Sequence, residues 1–287
     1  PLFRARSASG TPQPITSRIE VLLDPSTGTR WVSFGTGQFL GDADRSSTAR
    51  QTWYGLYDNY PNAATSPVSG RSDLAQRVVL VETTQTTTTE TGTTEGETTE
   101  GETETTGESV KVRVISAQGD TVGGDKVIDA DGTYIRKGWY LDLVPPSGTA
   151  AGERIIYGVQ AFGGALFATS AIPADDPCTP GGSGWLMAID PYTGGRIDSD
   201  LFANRTQVTV TSGDSTTNYY VSAVSTGSMP SSPILVRNEG GSSNQSGGTK
   251  VGRSDALVNT SDLGILRERL NLPDRFGRIS WRELIAD

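Results

Sequence analysis

The chain has 287 residues, of which 34% are hydrophobic, 35 are glycine and 15 are proline, a composition typical of many turns between short strands. It contains no histidine, which excludes Ser-His and Cys-His nucleophile pairs and imidazole ligation of metals. The formal net charge is -9, yet residues 82–109 hold eight glutamates and no lysine or arginine. The remainder, with 25 acidic and 24 basic residues, is close to neutral and has no basic stripe, so nucleic-acid binding by phosphate neutralisation has little support.

The strand candidates follow one another at short spacing. Arg77–Val81 and Val110–Val114 are predicted to pair as a hairpin, because the second segment alternates apolar and basic residues as a half-buried strand does. The other candidates are Trp31–Leu40, Arg154–Ala161, Ala165–Thr169, Gly184–Ile189, Gln207–Thr211, Asn218–Val224 and Pro233–Val236.

One helix is predicted, over Ser261–Leu270, because Ser261 or Asp262 could cap it and Pro273 follows its end. Nine strand candidates against one short helix predict an all-β fold. Many short strands separated by glycine and aromatic turns favour a β-propeller over an immunoglobulin-like sandwich, although no blade repeat of fixed length is found. Residues 1–287 are predicted to form one propeller-like domain, or a large fragment of it that holds only part of the ring.

A low-complexity insertion of Thr, Glu and Gly occupies residues 82–109 inside this domain. Residues 83–108 contain no apolar side chain, so the segment cannot bury enough surface to offset its ordering entropy. We predict a disordered hairpin loop. The alternative is an exposed tether that is glycosylated or attracts cations through its oxygen atoms.

The cysteine count and the hydropathy of the sequence restrict the disulfides, membrane spans and signal peptide that the chain could contain. Cys178 is the only cysteine, so no disulfide can form within the chain. No run of about 18 apolar residues occurs, which predicts no membrane span. The first residues, PLFRARSASG, lack the apolar core of a signal peptide, but a start at Pro1 without methionine is compatible with a piece of a longer protein.

Two glycine-rich segments could be taken for phosphate-binding loops. Gly35 and Gly37 lack the third glycine and following helix of a nucleotide-binding fingerprint. Gly182 and Gly184 lack the Gly-Lys-Ser/Thr of a P-loop and lead into a predicted strand. We interpret all four as glycines of a bulge or of close-packed strands and turns.

Two aspartate pairs resemble the start of a calcium loop without completing one. Asp42-Ala-Asp44 and Asp129-Ala-Asp131 lack the further oxygen donors and the closing carboxylate. Turn aspartates are the simpler interpretation, and Asp129 and Asp131 remain weak metal candidates.

The segment Asp190-Pro-Tyr-Thr-Gly194 predicts a tight turn whose aspartate accepts backbone N–H groups. Trp139, Tyr140 and Trp185 lie beside glycines in strand-like segments, where aromatic residues usually belong to the core or pack across blades. An exposed aromatic binding patch is the alternative.

Taken in order, the segments PLFRA, QPIT, FGTGQFLGDAD, QTWYGLYD, RSDL, KGWYLDL, GERI, DPCTPGGSGWLMAIDPYTGGR, SPILV and GRISWREL resemble the C-terminal domain of the PilY family, tip-associated adhesin and biogenesis proteins of bacterial type IV pili. The resemblance runs from Pro1 to Leu284, and only the Thr/Glu tract looks like an insertion specific to this chain. Its structural signature comprises Gly35, Gly37, Trp139, Cys178, Gly182, Gly184, Trp185, Asp190, Gly194 and Trp281.

This resemblance implies a modified β-propeller on the surface of a Gram-negative bacterium, exported, outer-membrane associated and displayed at the pilus tip. It implies no catalysis. The expected roles are pilus assembly, the balance of extension and retraction in twitching motility, attachment and surface sensing. The expected partners are minor pilins and an abiotic or host-cell surface. The family's calcium loop typically lies just upstream of the PLF-type segment, so the resemblance implies calcium upstream of Pro1 and assigns no cofactor ligand within this chain.

Two other functions fit the same sequence. Ile-Asp-Pro-x-Thr-Gly turns also recur in quinoprotein-like propeller enzymes, a link at the level of the fold alone. Such an enzyme would need a redox cofactor, a metal beside it and an acidic base. A purely structural surface domain without a motility role is the third possibility.

Overall fold

A computed structural model describes residues 2–58, 68–88, 107–174, 181–212, 215–237 and 251–273. The described residues form sixteen β-strands and no α-helix; two single 3-10 turns lie at Asp42–Asp44 and Arg71–Asp73. The strands are β1 (Glu20–Leu23), β2 (Arg30–Gly35), β3 (Thr52–Asp58), β4 (Ala75–Arg77), β5 (Val79–Thr88), β6 (Gly107–Ile115), β7 (Gly138–Asp142), β8 (Gln160–Phe162), β9 (Ala165–Ile172), β10 (Ser183–Ile189), β11 (Val208–Ser212), β12 (Ser215–Tyr219), β13 (Ala223–Ser225), β14 (Ile234–Arg237), β15 (Val251–Asn259) and β16 (Ile265–Pro273).

The strands form three sheets and a hairpin. Sheet A has the order β1-β2-β3-β7-β4, sheet B the order β5-β6-β13-β10-β9-β8, and sheet C the order β14-β15-β16, while β11 and β12 pair with each other. All pairings are antiparallel except β4 with β7. The class predicted from the sequence, an all-β fold, is confirmed.

The alternation of side chains along the strands shows that sheet B is the middle layer. Along β3, Trp53 faces sheet B, whereas Tyr54 belongs to a smaller core on the opposite face of sheet A. Along β10, Trp185 and Met187 face sheet A, while Leu186 faces a third core that includes residues of sheet C. The three sheets therefore stack face to face in the order A, B, C.

The chain passes from sheet A to sheet B between β4 and β5, and Arg77 marks the crossing. Its side chain is fully buried and donates hydrogen bonds to the carbonyls of Thr193 (2.9 Å), Gln76 (2.6 Å) and Gly123 (3.1 Å). Burial lowers the pKa of Arg77 to about 10. The guanidinium thus ties three backbone segments together where the two sheets meet.

The predicted helix over Ser261–Leu270 is wrong. Residues 260–264 form a tight turn in which the Thr260 N–H donates to the Gly264 carbonyl (3.0 Å) and Asp262 accepts the Gly264 N–H (3.1 Å). From Ile265 onward the chain is strand β16, which pairs with β15 from Asn259 back to Val251. The aspartate that resembled a helix cap closes a β-turn, and sheet pairing overrides the local helical pattern.

The predicted hairpin of residues 77–81 and 110–114 is present as β5 and β6, which pair from Val79 to Thr88. The strands run into both ends of the low-complexity segment 82–109, so its first and last residues are strand rather than loop. Residues 89–106, on which the prediction of a disordered loop mainly falls, lie outside the described residues. The predicted strand Arg154–Ala161 is largely wrong, because only Gln160 and Ala161 enter β8 and Arg154 makes one isolated bridge.

Candidate functional site

The turn after β10 brings three signature residues together. Asp190 Oδ1 accepts the N–H groups of Tyr192 (2.9 Å) and Thr193 (2.8 Å), and Trp139 Nε1 donates to the Pro191 carbonyl (3.0 Å). Gly194 has φ +70°, and a Cβ there would lie 2.2 Å from Trp139 Cδ2. The motif therefore clamps the β10 turn onto the indole of sheet A.

Replacing Gly194 with alanine is expected to destabilise the domain by at least about 2 kcal/mol more than replacing Gly227. Gly227 has φ +71°, and a Cβ there would meet no atom within 4 Å, so both substitutions carry the same backbone strain and only Gly194→Ala meets the Trp139 ring. Urea unfolding of the two variants measures the difference. Equal losses of stability in the two variants would contradict the close packing of Gly194 against the Trp139 ring.

The other signature glycines lie where strands approach closely. A Cβ on Gly35 would lie 2.2 Å from Ile155 Cβ, one on Gly37 2.4 Å from Arg154 Cβ, and one on Gly184 2.2 Å from the Ser170 carbonyl. Gly182 precedes β10 and would place a Cβ 2.4 Å from the Ile172 carbonyl. Cys178 and Trp281 lie outside the described residues.

The candidate metal-binding aspartates hold turns. Asp129 Oδ1 accepts the N–H groups of Asp131 (3.1 Å) and Thr133 (2.8 Å). Asp44 accepts from Gln38 Nε2 (2.9 Å) and from the N–H of Leu40 (2.8 Å). In the part of the chain that the structure describes, no three His, Cys, Asp or Glu side chains come close enough to hold a metal ion.

A buried aspartate outside the predicted set anchors an aromatic cluster. Asp24 accepts hydrogen bonds from Tyr134 Oη, from Ser26 and from Thr27 Oγ1 (2.8 Å), and the Tyr134 ring lies edge-on to Trp31 with centroids 5.4 Å apart. Burial raises the pKa of Asp24, but these hydrogen bonds outweigh burial and lower it to about 2. The charged form of Asp24 therefore stabilises the fold.

The carboxylate of Asp24 is expected to make part of the domain's stability sensitive to acid. Because its pKa falls from 3.8 to about 2 on folding, its contribution is present above about pH 4 and is lost as the pH falls towards 2. The stability difference between the wild type and Asp24→Asn is expected to shrink over that range in urea titrations. Tyr134→Phe, which removes one donor, should weaken this pH dependence. A pH-independent difference between the wild type and Asp24→Asn would contradict the assignment.

A charged cluster lies on sheet B beside a cavity of about 520 Å³. Arg113 bonds Glu153 Oε1 (2.7 Å) and Glu82 Oε1 (2.7 Å) and lies 3.9 Å over the Trp185 ring. Ser170 Oγ also donates to Glu153 (2.6 Å). Burial would lower the pKa of Arg113, but the two glutamates outweigh burial and raise it. The pairing satisfies Arg113, so the cluster is best understood as an electrostatic bridge between elements.

A second cleft, of about 750 Å³, opens between the N-terminal segment and the outer face of sheet A. Its lining includes Arg4, Arg6, Arg71, Phe3, Tyr140 and Val68. Among the described residues that line it, none is acidic. We call it the arginine cleft.

Packing and hydrogen bonds fix the position of Arg71 in the arginine cleft. Arg71 stacks on Tyr140, with its guanidinium carbon 4.3 Å from the ring centroid, and forms an ion pair with the buried Asp142. Arg71 Nη2 also donates to Thr52 Oγ1 (2.8 Å). Burial would lower the pKa of Arg71, but Asp142 raises it above its ordinary value. Arg71 is therefore a rigid, permanently charged wall of the cleft.

The N-terminal segment, which supplies the other wall, is anchored to sheet A by Tyr54. Tyr54 Oη lies 3.0 Å from the Arg6 carbonyl and 2.8 Å from Gln13 Oε1, and the rings of Phe3 and Tyr54 are 5.1 Å apart. Arg4 and Arg6 are exposed. Arg4 lies in the PLFRA segment, Arg6 directly follows it and Arg71 lies in RSDL, but no pattern in the sequence indicates that these segments meet.

Comparison with a solved structure identifies the fold. The chain superimposes on the crystal structure of the Pseudomonas aeruginosa PilY1 C-terminal domain with a TM-score of 0.65 and 24% sequence identity, over 94% of this chain and 48% of that one. The stacked sheets thus belong to an all-β, propeller-like fold.

Curated relatives then identify the family. The chain is 31% identical, over 99% of its length, to a "Type IV pilus biogenesis factor PilY1 homolog" from Xylella fastidiosa, and 30% identical, over 70% of its length, to "Type IV pilus biogenesis factor PilY1" from Pseudomonas aeruginosa. It belongs to the PilY family and corresponds to the C-terminal domain. It spans 19% and 16% of the lengths of these two relatives. No protein-family model matches the chain.

Proposed function

We propose that the chain is the C-terminal module of a type IV pilus biogenesis factor and acts by surface contact rather than by catalysis. The observation that carries the proposal is the match over 99% of the chain to a relative named as a pilus biogenesis factor. The relatives' names describe biogenesis factors and not enzymes. In the described ranges, no helix has the length and apolarity needed to span a bilayer.

The finer parts of the proposal follow the family resemblance. We assign the module to an exported, outer-membrane-associated protein at the cell surface and pilus tip, where it contacts minor pilins. Its expected effects are on pilus assembly, on the balance of extension and retraction that drives twitching, and on attachment to and sensing of abiotic or host-cell surfaces. We propose that residues 1–287, with the insertion at 82–109, act as one such module.

The test is an in-frame deletion of the codons for this module in the bacterium that carries the gene. We expect less sheared surface pilin and smaller twitching zones, both restored when the wild-type sequence is returned. Returning the sequence with residues 89–106 removed separates the tract from the rest of the module. Normal piliation and normal twitching after the full deletion would contradict the proposal.

A further inference from the structure

We infer that the arginine cleft binds a carboxylate-bearing segment of a partner polypeptide. The inference rests on the proposed function only in taking the module to act by contact. The cleft has the volume to admit several side chains, about 750 Å³, and it is open to solvent on a frame held by Tyr54 and Arg71.

The charge of the cleft is positive and only partly neutralised. Asp142 balances Arg71 and is also approached by Arg50, whose Nη1 lies 3.7 Å from Asp142 Oδ2. Arg4 and Arg6 are exposed, and no carboxylate of the described residues pairs with either. Arg6 Nη1 donates to the Gly10 carbonyl (2.7 Å), which holds its guanidinium in place and leaves its charge uncompensated. Guanidinium groups bind carboxylates with paired, charge-assisted hydrogen bonds.

The surroundings favour a short acidic peptide over a membrane or a nucleic acid. Outside residues 82–109 the chain has 25 acidic and 24 basic residues, so an extended anionic surface would find no net attraction over most of its contact area. A single acidic segment would meet only the positive cleft. Phe3, Val68 and Tyr140 provide apolar walls between the arginines, and such walls suit the side chains that flank a carboxylate in a polypeptide.

The test uses the purified 287-residue chain and a short fluorescein-labelled peptide of glutamate, glycine and serine, with fluorescence anisotropy as the readout. The wild type is expected to bind this peptide and not the same peptide with glutamine in place of glutamate. The double variant Arg4→Gln/Arg6→Gln is expected to bind about tenfold more weakly. Higher salt should weaken the wild-type binding.

A matched control separates the cleft from overall charge. Arg18→Gln/Arg45→Gln makes the same change in net charge at two exposed arginines, whose side chains are 70% and 44% exposed and which do not line the cleft. It should leave binding nearly unchanged. All four arginines are exposed at the surface, so both doubles should keep the wild-type melting temperature, and circular dichroism checks this.

Three outcomes would overturn the inference: no binding of the glutamate peptide, equal weakening by the two double variants, or binding to phosphatidylglycerol vesicles in place of the peptide. Peptide binding is measured in vitro and is independent of the pilus assay. If the peptide does not bind but the deletion reduces surface pilin and twitching, the cleft is rejected and the proposed function stands. If the peptide binds but the deletion leaves surface pilin and twitching unchanged, the pilus role is rejected.

Discussion

Replacing Trp139 with alanine is expected to lower the free energy of unfolding by about 4 kcal/mol. The indole is fully buried at the junction of sheets A and B, where its ring lies edge-on to Trp53 with centroids 5.9 Å apart. It also donates to the Pro191 carbonyl. The ring packs directly against Gly55 and Gly194, where an added Cβ would clash with it. Removing the ring would therefore leave a cavity and free the turn after β10.

Urea unfolding followed by far-ultraviolet circular dichroism measures this loss without relying on tryptophan fluorescence. Leu40→Ala, at a side chain that is 79% exposed, is the control and should change stability by less than about 0.5 kcal/mol. A comparable small effect for Trp139→Ala would mean that the indole does not join the two sheets.

Replacing Arg113 with methionine is expected to cost about 3–5 kcal/mol, because it leaves the buried Glu153 without its cation. The side chain of Glu153 is 1% exposed and that of Arg113 is 3% exposed. The double variant Arg113→Met/Glu153→Leu should recover much of the loss, since removing both charges also removes the cost of burying them.

A double-mutant cycle, again by urea unfolding, measures the coupling between the two side chains. The exposed pair of Arg18 and Glu20, with its nitrogen and oxygen 3.9 Å apart, is the control cycle and should show a coupling below about 1 kcal/mol. A double variant that loses as much stability as the sum of the single variants would contradict a direct bridge.

Local patterns predicted the all-β class and the hairpin of β5 and β6, because alternation with period two depends only on which face of a strand is buried. The same reasoning failed at Ser261–Leu270. A cap-like Ser-Asp followed by apolar residues is compatible with a helix, and only the nine-residue pairing with β15 makes it a strand. That pairing is tertiary and is not contained in the local sequence.

The site depended even more on long-range contacts. Arg113 and Glu153 are 40 residues apart in sequence, and Arg71 meets Asp142 across 71. No spacing rule connects residues at such separations. The glycine and aspartate motifs stood out in sequence because turns and close approaches require those residue types locally, whereas an arginine in a cleft resembles any surface arginine.

The amount of pilin sheared from the cell surface tests the central claim, that this module supports piliation by contact through the arginine cleft. The comparison is between strains carrying Arg4→Gln/Arg6→Gln and Arg18→Gln/Arg45→Gln in the full-length gene, at equal levels of the variant proteins. We predict reduced surface pilin for the first strain and wild-type surface pilin for the second. Equal surface pilin in the two strains would contradict the account.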